Sequence, residues 1–160
     1  MTIGVLSEPA EYLKVVARPI FERFQAEPTA VELAVSTCIV IAHFADVLGK
    51  HSGQKDLARV RRGLVALSPS FRVIDAFCNA AKHVEIDKRH GTLKGLRLDV
   101  AEKGRAAAFS DGTYFSDGSS FAQHPNTIRI LAPDGRRYDL LFEARKDLEA
   151  LELAYLTPPP

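Results

Sequence analysis

The sequence predicts an α+β fold: an N-terminal four-helix bundle, then a small antiparallel β-meander, then a C-terminal helix, within one domain. Three observations carry this expectation. Apolar residues recur at helical spacing through the first half of the chain. After Gly91 the period shortens to two, with Leu96, Leu98 and Val100 alternating against Arg97 and Asp99. Helical spacing then returns in Ala144, Leu148, Leu151 and Tyr155. A chain of 160 residues suits a single core, so the bundle (7–90), the meander (91–142) and the closing helix (143–156) are read as parts of one unit.

Ser7 and Pro9 announce the first helix, with Glu8 and Glu11 in its opening turn and Tyr12, Val15, Val16, Ile20 and Phe24 on one face. It is expected to end before Pro28. The second helix is read over 29–49, with Gly49 as its stop. The third spans 54–67 and carries the basic run Arg59, Arg61, Arg62. Ser68-Pro69-Ser70 punctuates the chain before a fourth helix over 69–86. Within the meander, two Ser-Asp-Gly triplets at Ser110 and Ser116 bound short strands at 105–109 and 113–115. A hairpin is expected over 127–131 and 137–141, around Pro133-Asp134-Gly135. The triplets lack the ligand spacing of a calcium loop and read as turns.

Composition excludes several function classes. Hydrophobic residues at 46% and charged ones at 26% describe a packed globular protein rather than a disordered tail. A net charge of +1 supplies no global field for a polyanion, so nucleic-acid binding requires a local basic cluster. Cys38 and Cys78 lie among apolar residues and are expected to be buried and reduced, which fits a cytoplasmic protein. No secretory leader is expected at the N-terminus. The apolar run from Val31 to Leu48 is interrupted by Glu32, His43 and Asp46, so it reads as a buried helix, and no membrane partner is expected. A P-loop, Cys-x-x-Cys, His-Glu-x-x-His, Gly-x-Ser-x-Gly and a dinucleotide fingerprint are all missing from the sequence.

Two polar stripes remain as candidate sites. On the second helix Glu32, Ser36, His43 and Asp46 share a narrow sector of an otherwise apolar cylinder. His43 and Asp46 are three apart, so the carboxylate reaches the imidazole. On the fourth helix Arg72, Asp75, Asn79, Lys82 and His83 gather opposite Val73, Ile74, Phe77 and Cys78. The two stripes are expected to face each other across a cleft, since a polar stripe on a central helix needs polar neighbours or water. A solvated face is the plainer reading of each.

The pairing of Ala42-His43-Phe44-Ala45-Asp46 with Asn79-Ala80-Ala81-Lys82-His83 resembles uncharacterised bacterial proteins with HEPN (higher eukaryotes and prokaryotes nucleotide-binding) helical bundles. The similarity spans roughly residues 30–90. It implies a nucleotide or RNA partner and a polar cleft between the second and fourth helices. Asn79 and His83 match the polar residue and the His of HEPN ribonucleases, whereas Cys78 stands where that family has Arg. If the site is catalytic, the resemblance implies metal-independent phosphodiester cleavage. His83 would act as acid or base, Lys82 or Arg72 would stabilise charge and Asn79 would orient the phosphate. His43, Asp46, Arg72 and Asp75 would then serve as binding residues. No cofactor and no metal site is expected. The alternative is a non-catalytic dimerising structural or protein-interaction module.

Overall fold

The computed structural model of the chain describes residues 8–82, 97–100 and 127–156. Expectations for the strands at 105–109 and 113–115, and for the end of the fourth helix, lie outside them.

The first helical segment opens as α1 (Pro9–Tyr12), passes through a π-helical stretch (Leu13–Ala17), and continues as α2 (Arg18–Ala26). One uninterrupted helix was the expectation. Pro19 explains the difference, because it lacks an N–H and its ring crowds the carbonyl four residues back, that of Val15. The chain accommodates this by widening one turn.

Helix α3 runs Val31–Ser52, one turn beyond the expected stop. Gly53 ends it in the left-handed conformation at φ 67°. Gly49 serves packing instead: a Cβ there would meet Leu57 Cδ2 at 2.7 Å and the Gln54 carbonyl at 3.2 Å. Helix α4 (Leu57–Leu67) begins three residues later than expected, because Asp56 is its N-cap and accepts from the Arg59 N–H at 3.1 Å. Helix α5 (Phe71–Lys82) follows the Ser68-Pro69-Ser70 turn.

The described strands form one antiparallel sheet in the order β1-β2-β3, from β1 (Arg97–Val100), β2 (Ile128–Leu131) and β3 (Arg137–Asp139). Leu98 pairs with Ile130 and Val100 with Ile128. Ile128 and Ile130 are fully buried while Arg129 and Leu131 are half-buried, so the alternation sets which side chains face the core. Gly135, at φ 83°, closes the Pro133-Asp134-Gly135 turn with its N–H on the Ala132 carbonyl. The last strand is shorter and α6 (Leu140–Leu156) longer than expected, because Asp139 accepts from the Phe142 N–H at 3.0 Å and caps the helix early.

Helix α3 packs against α2, α4, α5 and α6, and α6 also contacts β2 and β3. Phe21, Phe24, Ile41, Phe44, Phe71 and Ile74 meet Ile128, Ile130, Leu140 and Leu148 in one core cluster. The C-terminal helix therefore belongs to the same core as the N-terminal helices. Helix α3 is long and apolar enough to cross a bilayer, yet half of its most apolar window is buried against the rest of the chain.

Candidate functional site

A seam of polar side chains ties α3, α4 and α5 together. His43 Nδ1 lies 3.0 Å from Asp46 Oδ2 across one helical turn, as the spacing of three predicts. On the other side of that carboxylate, Arg61 of α4 approaches Asp46 Oδ1 at 3.7 Å and Asp75 Oδ1 of α5 at 3.3 Å. One guanidinium therefore bridges the two helices. Asn79 Nδ2 donates to the Asp75 carbonyl at 2.8 Å. Tyr12 closes the α1 end of the seam, with its ring centroid 6.0 Å from that of His43 and its hydroxyl donating to the Val40 carbonyl at 2.9 Å. Burial, reinforced by the nearby Asp46 charge, pushes the Tyr12 phenol up to about 12, so it stays a neutral donor.

Asp46 and Asp75 are linked through Arg61, an intermediary that the helix-two and helix-four pattern did not contain. Arg72 is exposed on the outside of α5. Lys82 ends α5, and its side chain and all of His83 lie outside the described residues. Electrostatically, the described seam sets two carboxylates against one guanidinium and an exposed imidazole. It is a tie between helices with little spare positive charge for a phosphate.

A second feature is an open groove of about 640 Å³ between the C-terminal half of α3, α4 and the end of α6. Leu48, Val60, Leu64, Leu67 and Tyr155 give it apolar walls, and Gln54 and Arg59 also line it. Arg59, Gly63 and Leu67 are spaced four apart and so share one face of α4. Leu67 is 42% exposed. Gly63 sits mid-helix, where a Cβ would meet nothing within 4 Å among the described residues. Arg61 and Arg62 each approach a carboxylate, whereas no carboxylate among the described residues lies within ion-pair distance of Arg59.

Beneath the surface, Asp147 of α6 is fully buried and accepts a hydrogen bond from the Ser68 hydroxyl at the α4–α5 turn. Its Oδ2 has no hydrogen-bond partner among the described residues. Burial pushes this carboxyl up to about 8, against the lowering effect of Ser68. Cys38 and Cys78 are buried as expected, and burial also pushes the Cys38 thiol well above its ordinary value.

Comparison with protein-family models, with curated proteins and with solved structures returns no match for this chain. The site must therefore be read from its own chemistry. Sequence reasoning noted Arg59 and Arg61 only as members of a basic run. The available signal was Gly63, an exposed mid-helix glycine one turn from each of Arg59 and Leu67.

Proposed function

We propose that this chain is a non-catalytic protein-interaction module whose groove between α3, α4 and α6 receives an apolar helical segment bearing a carboxylate. Gly63 carries the reading. A glycine inside a helix costs about 1 kcal/mol relative to alanine. Among the described residues no internal contact requires this one, since its Cβ would meet nothing within 4 Å. A missing side chain on a groove floor lets a partner backbone approach closely. Leu48, Val60, Leu64 and Leu67 offer apolar contact, and Arg59 supplies a cation for an acidic residue at the rim. The groove is too open to enclose a small molecule on most sides, which favours a peptide segment as occupant.

The nucleotide or RNA reading draws its cations from Arg72, Lys82 and His83, and the described seam adds only Arg61. That guanidinium already faces Asp46 and Asp75, so a phosphate there would have to displace both carboxylates.

The test uses a synthetic amphipathic helix with leucines four apart and one glutamate, titrated calorimetrically into the protein. Arg59→Glu and Gly63→Leu each alter an exposed position, and each is expected to weaken binding by about tenfold or more without lowering the melting temperature. Affinity indifferent to both substitutions would remove the groove from the reading.

A further inference from the structure

The outer face of α6 carries a stripe of exposed side chains that does not line the groove. Phe142, Lys146, Glu149 and Leu153 are all exposed and follow one another at intervals of four, three and four residues, which places them on one helical stripe. They lie on the side away from Ala144, Leu148 and Leu151, which fill the core. Two of the four are large and apolar: Phe142 is 54% exposed and Leu153 72%. Lys146 Nζ sits 4.8 Å from the Phe142 ring centroid and 3.3 Å from Glu143 Oε2, so the ammonium is held over the stripe.

We infer that this face pairs with the same face of a second copy of the chain, α6 antiparallel to α6, about a two-fold axis passing between residues 147 and 148. The order along the stripe is apolar, cation, anion, apolar. Reversed, it reads apolar, anion, cation, apolar. Laid antiparallel on itself, Phe142 meets Leu153 of the other copy at both ends, and Lys146 meets Glu149 at both central positions. A parallel pairing would set Lys146 against Lys146 and Glu149 against Glu149, so the charges select the antiparallel register. Each contact occurs twice by symmetry, so every favourable or unfavourable pair is doubled.

A single pair of helices buries less than the roughly 1,200 Å² at which stable interfaces begin, so the dimer is a weak, concentration-dependent one.

Sedimentation of the full chain over a concentration series tests the inference. The parent protein is expected to shift from monomer to dimer as concentration rises. Lys146→Glu makes the centre of the stripe all acidic and Glu149→Lys makes it all basic. Each is expected to weaken self-association by about tenfold or more. The two variants mixed together are expected to form a heterodimer, because each acidic stripe then faces a basic one. The double reversal in one chain is expected to restore the parent behaviour. Leu153→Glu should abolish pairing. Circular dichroism melts report folding independently, and unchanged melts are expected because all these side chains are exposed. A parent protein that stays monomeric up to about 200 µM overturns the inference. So does a dimer that ignores the charge reversals, or a mixture of the two reversals that stays monomeric.

Discussion

Asp147→Asn is expected to change how stability depends on pH. The Asp147 carboxyl is buried between α6 and the α4–α5 turn, and its folded value stands at about 8 against an ordinary value of 3.8. Between those two limits the folded state holds a proton that the unfolded chain has released. The unfolded state therefore binds fewer protons, and stability falls as pH rises through this window. At about 1.4 kcal/mol per unit, the full shift corresponds to an upper bound of about 6 kcal/mol, which water reaching the carboxylate would reduce. Glu143 and Lys146 act on the same group with opposite signs, so neither sets the direction. Asparagine keeps an acceptor for the Ser68 hydroxyl and cannot ionise. Its amide nitrogen inherits the unpartnered Oδ2 position, at a cost of about 1–3 kcal/mol. The assay is urea unfolding followed by circular dichroism at intervals from about pH 5 to pH 9. The parent should lose stability steadily up to about pH 8 and level off above it, and the variant should show a much flatter profile that crosses above it near the alkaline end. Parallel profiles, or a parent whose stability rises with pH, would refute the reasoning.

Other substitutions check separate parts of the structure. Gly63→Ala should stabilise the isolated protein by about 1 kcal/mol in urea unfolding, because the added methyl group meets nothing and the helix gains propensity. Gly53→Ala should instead destabilise it by about 1 kcal/mol in the same assay, since α3 ends there at φ 67°. Arg61→Met leaves the Asp46 and Asp75 carboxylates without their shared cation and is expected to cost about 1–3 kcal/mol. A double-mutant cycle with Asp75→Asn should return a coupling above about 0.5 kcal/mol. Phe44→Ala removes a fully buried ring packed edge-on against Tyr155 at 5.2 Å, and should cost about 3–5 kcal/mol by chemical denaturation.

Much of the fold was legible because burial imposes a period. Ile128 and Ile130 alternate with half-buried neighbours, and their inward facing could be read directly. Pro133-Asp134-Gly135 names its own turn, since only glycine takes φ 83° without strain. The helix ends were harder to read because the competing signals have the same residue types. Gly49 and Gly53 both look like stops, and only the approach of Leu57 tells the packing glycine from the cap. Asp139 looks like a strand residue by its place in the hairpin, yet its carboxylate starts α6. Pro19 was passed over within a strong apolar stripe, although its missing N–H forces the π-helical turn. For the site, His43 and Asp46 were legible from a spacing of three on one helix. The Arg61 bridge was not, because its partners come from two other helices and no local spacing encodes that meeting.

Binding through the α3–α4–α6 groove is decided by mapping backbone amide shifts in NMR during two parallel titrations. One uses the amphipathic acidic helix and the other a nucleoside monophosphate. The helix is expected to move the amides of Arg59, Gly63, Leu67 and Tyr155, while the nucleotide leaves those of His43, Asp46 and Asn79 in place. Shifts concentrated on His43, Asp46 and Asn79 with the nucleotide, and none around Gly63 with the helix, would contradict the claim.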